Sequence, residues 1–198
     1  MSHTDVVYDP FAGTRKLALI KELGYKGKII CNDLEPEYKS LNNYPVDLWV
    51  HEDAETAIIK GKIDAIVTSP TYGNRMADSH NAKDSSKRIT YTHQLNRKLS
   101  SGNTGNMQWG NNYKEKHQRC YINFYKHLTE GGLFIINVSN HIRKGKEVDV
   151  VSFHIEAAIK AGFILTENIK MPVKRMRYGS NSKLRVDNEH IIVFKKQI

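Results

Sequence analysis

Apolar residues recur along this chain in short blocks cut by glycine, proline and acidic turns. Residues 5–9 hold Val6, Val7 and Tyr8 and predict a short strand that runs into the tight turn Pro10-Phe11-Ala12-Gly13-Thr14. Leu17, Leu19, Ile20 and Leu23 then recur with helical period up to Gly24. A second strand is expected over 28–33, a helix from Pro36 through Tyr38 and Leu41, and a third strand over 46–50. A further helix is expected over 54–60, with Asp53 as its cap, before a strand over 63–68. This β-α-β-α-β-α-β rhythm predicts a parallel, doubly wound α/β sheet with helices on both faces. Residues 73–110 break the rhythm. After them come a helix over 111–128 ended by Glu130-Gly131-Gly132, a buried strand over 133–138 and a polar loop over 139–145. The chain closes with a helix over 148–161 and two strands, 163–171 and 189–195. The basic loop between those two strands, 173–188, makes the last pair antiparallel.

The most informative stretch is 64–75. Its apolar run suits a fully buried strand and stops at Ser69-Pro70, with Tyr72 and Arg75 just beyond. Such a strand delivers these residues to the carboxyl edge of the sheet, where open α/β sheets bind ligands. Proline restricts itself and the residue before it, so the carbonyls there hold one direction. A fixed acceptor pair beside an aromatic face can grip a planar ring bearing an amino group. The plainer alternative is a β-turn with a surface tyrosine.

Composition narrows the classes. A chain of 198 residues suits one domain, spanning 1–198, with a basic insertion at about 73–110 and a basic loop at about 173–188. Its apolar runs are too short to span a bilayer and no leader-like start is evident, so a cytoplasmic protein with no membrane partner is expected. Cys31 and Cys120 are too few for a disulfide framework, and the nine histidines show no zinc spacing, so no metal is expected. The net charge of +9 is concentrated. Residues 75–119 hold nine lysines and arginines against Asp78, Asp84 and Glu115. Residues 170–185 hold Lys170, Lys174, Arg175, Arg177, Lys183 and Arg185 with no acid. Two basic segments on a mildly acidic body form a footprint for a polyanion. Basic side chains interleaved with Tyr91 and Trp109 fit an insertion facing nucleic acid.

Two further features bear on a cofactor. A strand, a glycine turn and a helix start offer free amides to an anionic group. Asp33, at the end of the second strand and about twenty residues on, is placed to accept both hydroxyls of a ribose. Asp53 is placed either to cap its helix or to accept from an adenine amino group at the sheet edge.

This order of signals resembles the S-adenosylmethionine-dependent amino-methyltransferases of DNA, which modify N4 of cytosine or N6 of adenine. Asp9-Pro10-Phe11-Ala12-Gly13-Thr14 is similar to their cofactor motif, Asp33-Leu34 stands where the ribose-binding acid stands, and Asp53-Ala54 resembles the acid near the cofactor adenine. Thr68-Ser69-Pro70-Thr71-Tyr72 resembles their catalytic motif, and residues 188–195 their last strand. The whole length is most similar to small phage-encoded DNA methylases, implying a prokaryotic or phage-infected cell. The resemblance implies a Rossmann-like methyltransferase sheet, S-adenosylmethionine as cofactor with S-adenosylhomocysteine as product, and Ser69, Pro70 and Tyr72 as catalytic residues. Ser69 Oγ and the Pro70 carbonyl would accept from the amine, and Tyr72 would stack on a base flipped from a DNA duplex. Phosphates would fall to Arg75, Lys87, Arg88, Arg97, Lys98, Lys174, Arg175, Arg177, Lys183 and Arg185. Ser at the head of the catalytic motif leans towards cytosine.

Three departures stand out. Arg15 replaces the last glycine of the cofactor motif, so its side chain must point away or meet the cofactor carboxylate. Thr71 replaces the second proline of the catalytic motif. Little sequence precedes the first strand, so the helix that closes the methionine end in that family is expected to be missing. A separate target-recognition domain is also not expected, which implies short or relaxed sequence specificity. Two rival readings keep the same frame: amino-methylation of RNA, and a decayed methyltransferase that only binds nucleic acid. A homodimer is left open.

Overall fold

The computed structural model describes residues 5–73, 91–175 and 183–197. A seven-stranded sheet carries the site. In chain order its strands are β1 (Val6–Asp9), β2 (Lys28–Asn32), β3 (Leu48–Val50), β4 (Ile63–Thr68), β5 (Leu128–Val138), β8 (Ile164–Pro172) and β9 (Asn188–Lys195). Across the sheet the order is β3-β2-β1-β4-β5-β9-β8. β1 to β5 run parallel, whereas β9 is antiparallel to both β5 and β8. This is the expected doubly wound sheet with its antiparallel end. From β1 the chain winds outward to β3, returns to β4 and continues the other way. The reversal lies between β1 and β4, where an open sheet forms a crevice beyond its carboxyl ends.

Alternation within the strands sets the two faces. Ile30 of β2 points into the main core, whereas Ile29 and Cys31 pack with Ala12 on the other side. The main core is covered by α2 (Asn111–His127) and α3 (Val150–Lys160). Tyr113, His117, Cys120, Tyr121 and Phe124 are buried along one stripe of α2, the spacing a helix needs to seat itself on a sheet. Asp149 caps α3 by accepting from the Ser152 amide at 3.0 Å. The opposite face near β2 is covered by a short 3-10 helix, Lys16–Lys21, through Leu17 and Ile20, together with Tyr25, Val46 and Trp49.

Several elements differ from the expectation, each for a local reason. The helix after β1 is this 3-10 segment; Leu23 lies outside it and is 87% exposed. Arg15 precedes it in left-handed backbone (φ 61°), so the chain enters the turn without a standard cap. The helix from Pro36 is likewise a 3-10 turn, Pro36–Lys39. The helix over 54–60 does not form. Asp53 caps a single turn there, its carbonyl accepting from the Thr56 and Ala57 amides, and β-branched Thr56, Ile58 and Ile59 do not extend it. Glu130-Gly131-Gly132 does not end α2; it lies inside β5, which begins directly after His127. Gly131 supplies the positive φ (71°) at that point and donates to Lys196. The polar loop over 139–145 contains a hairpin strand, β6 (His141–Arg143), which pairs with β7 (Lys146–Val148). Within 73–110, α1 (Tyr91–Leu95) and a 3-10 turn, Thr104–Asn106, are folded against the sheet edge.

Candidate active site

Three turns leave the parallel strands side by side, and a buried side chain ties them. Asn32 is fully buried; its amide donates to the carbonyls of Pro10 (3.3 Å) and Glu52 (3.0 Å) and accepts from the Glu52 amide at 3.0 Å. Asp9, also buried, holds the first turn differently. It accepts from the Thr68 hydroxyl at 2.6 Å and the Phe11 amide at 3.1 Å, so it ties β1 to β4. Burial pushes its carboxyl up to about 7 against the lowering effect of those donors. Neither residue lines the two adjoining cavities of the site; both fix the turns that do.

The first cavity lies between these turns. Pro10, Phe11, Gly13, Asp33, Leu34, Asp53 and Ala54 line it, together with Ser69 and Thr71 from the end of β4. Asp33 accepts from the Gly13 amide at 2.8 Å and the Glu35 amide at 2.9 Å. Burial raises its carboxyl to about 6, held back by these donors. Gly13 has φ +48°, and a Cβ there would meet nothing within 4 Å, so the turn leaves open space beside Asp33. The Tyr38 hydroxyl, also in the lining, is buried without a partner. Phe11 packs edge-on against Phe124, anchoring the turn to the core. Ala12 faces the other side of the sheet, and the Thr14 carbonyl is taken by Asn42, so these two stay outside the cleft. The cleft thus has a diol acceptor, open backbone and an orphaned hydroxyl, which fits a nucleoside cofactor.

The far wall of this cleft comes from the insertion. Tyr91, Gly102, Asn103 and Thr104 line it. Glu35, fully buried, latches this wall: it accepts from the Ser100 amide (2.8 Å), the Ser100 hydroxyl (2.9 Å) and the Asn103 side chain (2.8 Å), and pairs with Arg97 at 2.7 Å. Arg97 also grips Glu37 at 2.5 Å, so carboxylates of the protein already hold this guanidinium, expected to hold phosphate. At the other end, Lys116 pairs with Asp53 at 2.5 Å and Glu55 at 3.0 Å. Burial alone would lower the Lys116 ammonium; these two acids carry it above its ordinary value. Asp53 therefore both caps its turn and lines the cleft.

A second cavity adjoins the first. Ser69, Pro70, Thr71 and Tyr72 line it with Tyr91, Ser139, Asn140, His141, Ile142, Arg175, Arg185 and Val186. Ser69, Thr71 and Tyr91 belong to both cavities, so the end of β4 forms the partition. The Ser69 hydroxyl donates to the Asn137 carbonyl at 3.1 Å and lies 3.2 Å from the Tyr72 hydroxyl. Burial pushes the Tyr72 phenol up to about 12, so it stays protonated. The Thr71 carbonyl accepts from Tyr113, whose hydroxyl lies 2.9 Å from His154; His154 in turn contacts Tyr121 at 2.6 Å. This buried network holds the turn from beneath, where the motif has Thr71. Just beyond it, Gly73 accepts from the Trp109 amide at 2.7 Å. Trp109 stacks edge-on with Phe153 and sits beneath Lys114, so it acts as an anchor rather than as the base-facing ring its setting in the sequence suggested.

The basic residues divide. Arg175 lines the second cavity, fixed by Glu189 at 2.8 Å and Ser139 at 3.1 Å, and Arg185 lines it too. Lys98, Lys174 and Lys183 are exposed. Arg75, Lys87, Arg88 and Arg177 lie outside the described residues. Sequence reasoning missed Asn32, Glu35, Tyr38, Asn103, Lys116 and Tyr113. Their only local signal was proximity to a strand end, for Asn32 and Glu35. Among the described residues no group of His, Cys, Asp or Glu could hold a metal ion, and no helix is long and apolar enough to cross a membrane.

No family model and no curated protein sequence matches the chain. Solved structures do. A methyltransferase from Pyrococcus furiosus is 17% identical with a TM-score of 0.59, over 98% of this chain and 76% of that one. An S-adenosylmethionine-dependent methyltransferase from Methanosarcina mazei is 7% identical with a TM-score of 0.61, over 100% and 95%. The 1,6-didemethyltoxoflavin-N1-methyltransferase of Burkholderia thailandensis, solved with S-adenosylhomocysteine, is 13% identical with a TM-score of 0.56, over 98% and 72%. At these identities the likeness establishes the fold: a Rossmann-like methyltransferase sheet.

Proposed function

We propose that the chain transfers a methyl group from S-adenosylmethionine to the exocyclic amine of a DNA base, N4 of cytosine or N6 of adenine, flipped out of the duplex. The observation that carries this reading is the shared partition. One cavity offers the acid and open glycine turn suited to a nucleoside cofactor, the other offers Pro70, Tyr72 and two arginines, and Ser69 borders both. The neighbours of like fold support the cofactor: one is described as S-adenosylmethionine-dependent and another was solved with S-adenosylhomocysteine. The basic segments support a polyanionic substrate.

In this reading Asp33 accepts the ribose hydroxyls, Asp53 the adenine amino group, and Gly13 lets the backbone approach. When bound, the cofactor supplies an electrophilic methyl on a sulfonium. The protein's part is to present the amine. Because the Ser69 proton is directed at Asn137, a lone pair of Oγ stays open to accept an N–H of the amine. With the Pro70 carbonyl taking the other N–H, the nitrogen lone pair turns out of conjugation towards the first cavity. Catalysis is then largely positioning, and as the nitrogen takes the methyl its surplus proton passes late to water or to a neighbouring carbonyl. Tyr72 stacks on the base, and Arg175 and Arg185 meet the flanking phosphates. Arg15 does not obstruct this: its guanidinium donates to Asn42 and lies outside the cleft. The test is incubation of unmodified DNA and RNA with isotope-labelled methyl donor, followed by nucleoside mass spectrometry. Label is expected on an amino nitrogen of a DNA base; label on a ring carbon or on protein overturns the mechanism, and label confined to RNA overturns the substrate.

A further inference from the structure

Arg15 stands where the family's cofactor motif carries glycine, and its surroundings are unusual. Its side chain is 7% exposed, and its Nε has no hydrogen-bond partner. One terminal nitrogen donates to the Asn42 carbonyl. Among the described residues no carboxylate is paired with it. Asp9 and Asp33 are held by Thr68, Phe11, Gly13 and Glu35, and Asp47 is taken by Lys21 at 2.9 Å and the Ile29 amide at 2.7 Å. A buried guanidinium without an anion carries an uncompensated desolvation cost. It borders a groove, separate from the two cavities above, whose other lining residues include Lys39, Tyr44, Trp49 and Asp47, the last with its charge taken up by Lys21.

We propose that this groove is a phosphate-binding site, separate from the donor cleft. Arg15 supplies a buried positive charge at the groove's edge, Lys39 an exposed second charge, and half-buried Tyr44 and Trp49 offer ring faces beside it. The phosphate comes from a free ion, a mononucleotide or the 5′ end of a nucleic acid; the chemistry recognised is the same. This inference does not depend on the proposed methyl transfer.

The full chain is titrated at constant ionic strength with inorganic phosphate, a nucleoside monophosphate and a 5′-phosphorylated oligonucleotide. Tryptophan emission is followed, and Trp49→Phe assigns the signal, since the chain holds two tryptophans. A saturable change is expected that vanishes in Trp49→Phe and weakens at least about tenfold in Arg15→Gly and Arg15→Gln, with Arg15→Lys between. Arg15→Gly suits the left-handed backbone, and circular dichroism confirms that the variants are folded. Should these fail to fold, Lys39→Gln, an exposed change, is expected to weaken binding several-fold. The tightest of the three ligands identifies the source. No saturable change, a change that persists in Trp49→Phe, or affinity unmoved by the Arg15 variants (or, failing those, by Lys39→Gln) overturns the site.

Discussion

The two cavities that meet at Ser69 are built differently. The donor-side cleft is made chiefly from turns that directly follow β1, β2 and β3, so its inner wall is local: Gly13, Asp33 and Asp53 each sit within a few residues of a strand end. The acceptor-side cavity collects residues from distant stretches: 69–72, 91, 139–142, 175 and 185–186. The first depends on strand-end geometry that the sheet itself enforces. The second depends on long-range ties such as Tyr113 to Thr71 and Arg175 to Glu189. A turn mutation should therefore damage the first cavity alone, whereas the second should fail whenever one of its remote supports is cut.

The sharpest break is expected at the partition. Ser69→Ala removes the acceptor aimed at the amine but leaves Asp33 and Gly13 untouched. Methyl transfer should fall by about 10²–10³-fold, the scale of one lost transition-state partner, with S-adenosylhomocysteine affinity held within a few-fold. Tyr72→Ala should instead raise KM for nucleic acid by roughly 5- to 150-fold, matching a stacking contribution of about 1–3 kcal/mol. Equal losses of cofactor affinity in either variant would show that the cavities are not separable.

Next in size is the latch. Glu35→Gln keeps one acceptor oxygen but turns the other into an amide donor, so one pair of the donors from Ser100, Asn103 and Arg97 loses its acceptor and Arg97 loses one of its two charged partners. At about 1.5–3 kcal/mol for hydrogen bonds to a charged group, cofactor affinity should drop roughly 10- to 100-fold by calorimetry. Unchanged affinity would mean that the wall formed by 102–104 does not touch the cofactor, and the donor cleft would be local throughout.

That latch also shows where sequence reading stopped. Asp33 could be found because a strand-end acid about twenty residues past a glycine turn has a chemical reason to be there. Glu35, two residues on, has its partners 65 to 68 positions away, and no periodicity links them. The same holds for Lys116, one position of an amphipathic helix until folding sets it against Asp53. The helix expected from Leu17, Leu19, Ile20 and Leu23 and the one over 54–60 do not form as such because apolar spacing is outweighed by the left-handed Arg15 and the β-branched run. β1, β2, β4 and β5 were legible because buried parallel strands are written as apolar runs, a reason that does not extend to antiparallel β8, which is exposed along its length.

A gentler effect should follow from pH. Binding through Asp33 requires its ionised form, and burial holds that carboxyl at about 6. Affinity for S-adenosylhomocysteine should be flat above roughly pH 7 and fall by up to about tenfold per unit below 6. Asp33→Asn should abolish this slope, since its amide does not titrate; a slope retained in the variant would transfer the titration to another group.

The last effect is on stability rather than on transfer and concerns Asp9, which supports both cavities without lining either. Its ordinary value is 3.8 and its buried value about 7. The folded protein therefore keeps a proton that the unfolded chain has already released. Stability then falls as pH rises between those values, by up to about 1.4 kcal/mol per unit, and changes no further from this group above about 7. Asp9→Asn retains an oxygen to accept from Thr68 and Phe11 but cannot ionise. Denaturant unfolding between pH 5 and 8 should show a loss of linkage of about one proton in the variant, with Asp33 accounting for part of what remains. If the variant keeps the wild-type slope, Asp9 is ionised throughout this range. The tie between β1 and β4 would then be charged, and the donor cleft would have a fixed negative charge behind its first turn.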